Sequence, residues 1–237
     1  MKKRIQKILS ELGVMSRRAV EREILAGRVK VNNKPAKIGM SVDLFSDVIE
    51  IDGEKVEFKA SKKLYIMLNK PRGYVSSLQD SHWDRLAVNL LSDVKERVYN
   101  VGRLDKNSEG LLLFTNDGAF ANKIMHPKNK VSKIYSVTVT PKATERQLVK
   151  LSSKIVLEEE ELIPAEVVVK KEFQDRSVLS IKIMQGKNRQ IRKMCELVGL
   201  KVVRLKRIVL GDLKLGMLKS GAYRYLTSEE VGAFDFL

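Results

Sequence analysis

Leu111-Leu112-Leu113-Phe114, an unbroken apolar run directly after Gly110, constrains the fold more than any other stretch of the 237 residues. A short apolar run bounded by turn residues reads as a fully buried strand, so the chain must build a sheet with a protected interior. A second strand-like run ends at Val101, and the loop Gly102-Arg103-Leu104-Asp105-Lys106-Asn107-Ser108-Glu109 lies between the two. Strand, tight loop and buried strand fix an Arg and an Asp at the edge of a rigid scaffold, a common place for functional groups. Taken alone, Asp105 in such a loop is more often a turn or cap residue than a catalyst.

Further along, residues 64–68, 98–101, 134–140, 165–173, 178–184 and 202–210 read as strands. Helical patterns fall near 85–92, 118–125, 143–151, 188–198 and 228–233, and Thr227 with Glu230 has capping-box spacing for the last. The strand spacing is too irregular for a doubly wound parallel sheet. The predicted class is therefore α+β, with a mixed, largely antiparallel sheet flanked by helices. The like-charge run Glu158 to Glu161 reads as an exposed loop.

The first 60 residues form a separate pattern. Ile5, Ile8, Leu9 and Leu12 have helical spacing that stops at Gly13, and Ser16 is an N-cap for a second helix burying Ala19, Val20 and Ile24 before Gly27. Val29 and Val31 then alternate with charges, Asn32-Asn33 turns, and Val48, Ile49 and Ile51 lead through Asp52-Gly53 to Val56 and Phe58. Arg17, Arg18 and Arg22 lie on the polar side of the helices, with Arg28 and Lys30 on the following sheet. The pattern fits a DNA-reading helix-turn-helix or a small α/β fold. The polar segment 59–63 separates this unit from the rest, with residues 60–63 as the linker.

Charge narrows the class of partner. The chain holds 45 Lys+Arg against 29 Asp+Glu, a net +16, and the excess is gathered in two segments. Residues 1–40 carry 11 basic and 3 acidic side chains, and residues 182–224 carry 12 and 2. Two basic surfaces suit a polyanion, because each neutralised phosphate releases condensed counterions. Apolar residues make up 43% of the chain, enough for a core. No run approaches the ~20 apolar residues of a membrane span, and the N-terminus lacks a signal-peptide pattern. One cysteine, Cys195, with two histidines supplies neither a disulfide nor a typical zinc site. The expectation is a soluble, cytoplasmic protein with no metal and no membrane partner, a monomer by default. Cys195 is expected to pack inside a helix, and His82, Trp83 and His126 to be structural or loop residues, with Trp83, near Asp80 and Asp84, the alternative candidate for a place beside the polyanion.

Two sets of residues carry resemblances. Ser16-Arg17-Arg18-Ala19, Ile24 and Gly27-Arg28-Val29-Lys30-Val31-Asn32 resemble the small RNA-binding domain shared with a small-subunit ribosomal protein, the S-four-like or alpha-L motif. This implies RNA contacts for Arg17, Arg18, Arg22, Arg28 and Lys30, an RNA-binding domain over 1–59, and a weaker case for DNA. Gly102 to Gly118 resembles the signature G-R-L-D-x-x-[ST]-x-G-L-L-[LIV]-x-T-N-D-G of bacterial ribosomal-RNA pseudouridine synthases of the RsuA/RluB type. Lys133-Ile134-Tyr135-Ser136-Val137 is similar to that family's K-x-Y-x-V strand, and Gly186 to Met194 to its G-x-x-R-Q-[IV]-[RK]-[RK]-M block. Pro71-Arg72-Gly73 and the tail from Leu205 to Thr227 also fit. The departure is Asn107-Ser108, where many relatives carry Asp-Thr; the hydroxyl is kept, and loop rigidity is what the change puts in question.

The resemblance implies a catalytic domain over 64–237 that isomerises uridine in ribosomal RNA without a cofactor. It makes Asp105 the catalytic carboxylate, as nucleophile or as base toward a ribose proton, and pairs Arg192 with it. Tyr135 would stack on the extruded base, with its hydroxyl near C5 for proton transfer. Arg103 would fill the space left by the flipped uridine or hold phosphate. Lys187, Arg189, Lys193, Arg204, Lys206 and Arg207 would contact RNA backbone. The stretches Arg192 to Glu196 and Leu205 to Arg207 lean toward large-subunit relatives over small-subunit ones. A non-catalytic ribosome-assembly factor that only binds RNA is the alternative, and a DNA-binding regulator is third.

Overall fold

The computed structural model describes residues 2–57, 62–78 and 84–235. Phe58, residues 59–61 of the polar segment, Asp80, His82 and Trp83 lie outside the described residues. The chain divides into two compact units, one of Met1–Lys63 with the short segments 95–97 and 116–118, the other of the remaining residues from Leu64 onward.

The first unit contains β1 (Lys3–Arg4), α1 (Ile5–Glu11), α2 (Arg17–Leu25), β2 (Val29–Val31), β3 (Lys34–Pro35), β4 (Ser41–Val42), β5 (Ile49–Ile51) and β6 (Glu54–Lys55). The apolar stripes of both helices, Ile5, Ile8, Leu9, Val20 and Ile24, close on Val29, Val31 and Ile49 of an antiparallel sheet ordered β3-β2-β5-β6. The Ser16 hydroxyl caps α2 by accepting from the Ala19 N–H at 3.1 Å, satisfying a donor the helix leaves open. Asn32 and Asn33 adopt φ of +50° and +63°, and Asp52 and Gly53 +53° and +84°, the left-handed pairs that tight hairpins require. Val48 precedes β5 and is exposed rather than paired in a strand.

The second unit is built on β7 (Tyr65–Lys70), β8 (Tyr99–Val101), β9 (Glu109–Thr115), β10 (Lys133–Thr140), β11 (Val156–Leu157), β12 (Glu160–Glu161), β13 (Glu166–Glu172), β14 (Ser177–Ile183), β15 (Lys201–Leu210), β16 (Leu213–Lys214) and β17 (Tyr223–Tyr225). Its main sheet runs β13-β14-β10-β15-β9-β7-β17, with β16 on β15 and β8 on β9. All pairings in it are antiparallel except β15 with β9. The helices are α3 (Gly118–Met125), α4 (Glu145–Ser152), α5 (Gln190–Leu197) and α6 (Ser228–Gly232), the last carrying the Thr227–Glu230 capping box.

Alternation along β9 explains its apolar run. Leu112 and Phe114 face one core with Leu151 of α4 and Ile191 and Met194 of α5. Leu111 and Leu113 face the other with Phe120 and Ile124 of α3 and with Phe234. A strand covered on both faces has no polar side to show. One expected helix is shorter: near 85–92 only a 3-10 turn forms, Ala87–Leu90. Backbone groups of Arg85 and Ala87 are engaged by Val75 (Val75 N–H to Arg85 O and Ala87 N–H to Val75 O, both 2.9 Å), which holds the segment extended at Leu86.

Candidate active site

Residues 102–108 leave β8 and enter β9 along one side of a cleft of about 1030 Å³. Backbone bonds tie this loop down almost residue by residue. Asn100 Nδ2 donates to the Gly102 carbonyl at 2.6 Å, and the Gly102 N–H donates to Met125 Sδ at 3.0 Å. The Ser76 hydroxyl bonds both the carbonyl (2.9 Å) and the N–H (3.1 Å) of Leu104. Lys106 O accepts from Gly73 N–H at 2.8 Å, Asn107 O from Arg192 Nη2 at 2.9 Å, and Asp105 O from Ser108 N–H at 2.9 Å. A loop held this way keeps its side chains oriented before a substrate arrives.

The expected Arg192–Asp105 ion pair needs correction. Among the described residues no salt bridge within 4.0 Å joins them. The Arg192 guanidinium is engaged by the carbonyls of Asn107 and, at 3.2 Å, Val202, so it grips the loop through its backbone. Burial and then Arg189 lower its hold on its proton, while Asp105 acts in the opposite sense. The two charges therefore interact through space rather than through a shared hydrogen bond, and the Asp105 carboxylate stays open to the cleft it lines.

A second cation near Asp105 was not singled out by the sequence. Lys70, at the end of β7, is 0% exposed and donates to the carbonyls of Pro71 (3.0 Å) and Tyr74 (2.7 Å). Burial pushes its ammonium down to about 8, opposed by the charges of Asp105 and Glu109. Through that turn it supports Gly73, which holds Lys106. The available signal was a lysine placed between a strand of large apolar residues and a proline.

The sheet supplies the floor. Tyr135 on β10 is 8% exposed, packs in the core and also lines the cleft. It lies opposite Arg207 of β15, and Arg207 also lies opposite Gly110 of β9. A Cβ on Gly110 would lie 2.2 Å from the Arg207 carbonyl oxygen, and its φ is +102°, so only glycine lets β9 and β15 approach here.

The other expected residues are distributed unevenly. Arg103 is exposed at the cleft, and Arg189, with a left-handed φ of +51°, lines it just ahead of α5. Lys187 and Lys193 are not free cations: they pair with Glu160 and Glu158. The acidic run is accordingly a hairpin, β11–β12, that covers two basic side chains, and not merely a solvated loop. Arg204 is also engaged, holding Glu109 through two bonds of 3.0 and 2.9 Å. In the first unit Arg17, Arg18, Arg22 and Lys30 are exposed, while Arg28 pairs with Glu23. Cys195 is buried in α5, its thiol pushed up to about 12 by burial, and His126 caps a short turn by accepting from the Lys128 N–H.

Fold and site together define an RNA-modifying enzyme: residues 64–197 match the family described as RNA pseudouridylate synthase, and residues 3–49 match the S4 domain. The chain belongs to the RNA pseudouridine synthase family. It is 40% identical over 233 residues to an uncharacterized RNA pseudouridine synthase of Aquifex aeolicus, covering 98% of this chain and 93% of the relative. It is also 40% identical over 231 residues to a Bacillus subtilis protein named ribosomal large subunit pseudouridine synthase B, covering 96% and 93%. A solved pseudouridylate synthase structure superimposes with a TM-score of 0.69 at 28% identity, over 98% of this chain and 99% of that one. No helix among the described residues is long and apolar enough to cross a membrane.

Proposed function

We propose that this protein converts a specific uridine of large-subunit ribosomal RNA to pseudouridine, with Asp105 as the catalytic carboxylate. The observation that carries this reading is the tethered loop 102–108, which presents an Asp105 carboxylate unpaired among the described residues to a cleft lined by Tyr135 and basic side chains. The Bacillus subtilis relative's name favours the large subunit.

The reaction breaks the N1–C1′ bond, turns the base, forms a C5–C1′ bond and moves a proton from C5 to N1. Atoms and electrons are conserved, so no redox partner or group donor enters. Asp105 serves either as nucleophile at C1′ or as base at the ribose, and both roles need it ionised. Lys70 and Arg192 bring positive charge close to it without occupying its oxygens. Tyr135 supports the base with its ring and offers its hydroxyl for proton transfer at C5. Arg103, exposed at the mouth, takes the space vacated by the flipped nucleotide or holds its phosphate.

The division of labour proposed is an RNA-binding unit over 1–59, a linker at 60–63 and a catalytic unit over 64–237. Arg17, Arg18, Arg22, Arg28 and Lys30 supply backbone affinity in the first. Arg189, Lys187 and Lys193 do so in the second, the lysines after exchanging their glutamates for phosphate. The enzyme works as a cytoplasmic monomer on ribosomal RNA, free or in an assembling particle.

Mapping pseudouridines in both ribosomal RNAs of a deletion strain, complemented with wild type or Asp105→Asn, tests this. The expected result is one uridine lost from the large-subunit map, restored by wild type alone, while the variant still binds the RNA. Its single-turnover rate should fall by more than about 10³-fold. An unchanged map in the deletion strain rejects the function; full activity of Asp105→Asn rejects the residue.

A further inference from the structure

Arg207 has an unusual environment for a basic residue expected to touch RNA backbone. It is 3% exposed yet lines the cleft, on the sheet floor directly opposite Tyr135. Its Nε donates to the Leu111 carbonyl at 2.7 Å, which ties β15 to β9. Its Nη2, equally buried, has no hydrogen-bond partner among the described residues. Lys133 lines the same cleft two residues before Tyr135 and donates to the Val131 carbonyl at 2.7 Å. Burial, and then the charge of Arg207, push its ammonium down to about 8. Two cations thus share a low-dielectric floor, and a guanidinium donor is left unused. A buried unsatisfied donor is costly, so its retention points to an acceptor brought by the substrate.

We propose that Arg207, with Lys133 beside it, donates to a carbonyl oxygen of the base delivered to Asp105 and so selects uracil over cytosine. This rests on the pseudouridine synthase reading above. Depth favours the base over a phosphate: a phosphate is tied on both sides to chain that must continue outside, whereas the base is a terminal group that reaches a 3% exposed position. Arginine and lysine have only donors to offer. Uracil presents O2 and O4 as acceptors, while cytosine replaces O4 with an amino group whose hydrogens would face the guanidinium. The same contact strengthens during reaction. When the N1–C1′ bond breaks, its electron pair remains on the ring and spreads over N1, O2 and O4, and fixed donors bind that anion more tightly than the neutral base. Arg207 transfers no proton.

The test uses full-length protein and synthetic RNA carrying uridine, 2-thiouridine or 4-thiouridine at the mapped position, since sulfur is the weaker acceptor. Single-turnover rates are compared for wild type, Arg207→Lys and Arg207→Met. Wild type should lose roughly tenfold to a hundredfold on the 4-thiouridine RNA, whereas a loss confined to 2-thiouridine places the contact at O2, which cytosine also carries, and overturns the selection of uracil. Arg207→Met should lose a similar factor on uridine and nothing more on the 4-thiouridine RNA. Wild type indifferent to both sulfurs overturns the proposal, even if Arg207→Met proves too unstable to purify. Variants that lose one common factor on every RNA, with the thio effect intact, mark Arg207 as structural and overturn it as well. Sensitivity confined to a phosphorothioate flanking the target identifies a phosphate contact instead. Wild type that makes no pseudouridine from the uridine RNA rejects the underlying function, a separate and recognisable outcome.

Discussion

At the scale of single residues, Lys70 makes the sharpest prediction. Its ammonium titrates at about 8 in the folded protein against 10.5 in a free side chain. Below pH 8 both folded and unfolded states hold the proton, and the cost of burying the charge is fully present. Between about 8 and 10.5 the folded state binds fewer protons, so Lys70 makes stability rise with pH across that window. Activity should move the other way, because losing the ammonium removes a positive potential from beside Asp105. Pseudouridine formation is expected to show an alkaline limb near pH 8 that Lys70→Arg shifts above pH 10. Lys133 shares the same range, so Lys133→Arg is the control; a limb unmoved by Lys70→Arg contradicts the assignment. Asp105, Tyr135 and Arg103 stand inside ordered motifs, which is why the sequence singled them out, and all three line one cleft. Lys70 was not singled out, because a lysine after a strand reads as solvated unless the strand is known to be central.

At the scale of elements, the parallel contact of β15 with β9 sets the site. Gly110→Ala would drive a Cβ into the Arg207 backbone, not into a yielding side chain, and would force an alanine to φ of +102°. A loss of about 3 kcal/mol or more is expected in denaturant unfolding, with activity falling alongside. Wild-type stability for this variant would show that the strands separate freely. The acidic hairpin makes a second case. Glu158 and Glu160 hold Lys193 and Lys187, so a Glu158→Gln, Glu160→Gln double variant should release both cations. Because exposed ion pairs are weak, RNA affinity is expected to tighten only about twofold to fivefold in titrations at fixed salt. Weaker binding would mean that the hairpin itself contacts RNA. The run of four glutamates announced an exposed segment, but its lysine partners lie some thirty residues away in sequence, and only the folded chain brings them together.

At the scale of the molecule, a net charge of +16 should make RNA binding steeply salt-dependent. Log affinity is expected to fall linearly with log salt, with a slope of about 0.7–0.9 per phosphate contacted. Replacing Arg17, Arg18 and Arg22 together with Gln should flatten that slope by about 2–3 and weaken binding. The single-turnover rate at saturating RNA should stay unchanged, because these residues belong to the first unit and Asp105 to the second. A slope that stays the same would take those arginines out of the RNA contact.

Much of this protein followed from local rules. Apolar runs, alternation, the Ser16 cap, the Thr227–Glu230 box and the Asn32-Asn33 turn are short-range chemistry, and each determined its element wherever tertiary contacts agreed. The 85–92 segment shows the limit: its helical pattern yielded to backbone bonds with Val75. Tertiary structure alone decided which charges are paired, which are buried and which face the cleft. Arg192 grips Asn107 instead of Asp105, Arg204 is bound to Glu109, and Arg207 turns inward with a free donor. The reason is physical: the state of a charged side chain depends on desolvation and on partners contributed by distant strands, and neither is encoded within its own neighbourhood in sequence.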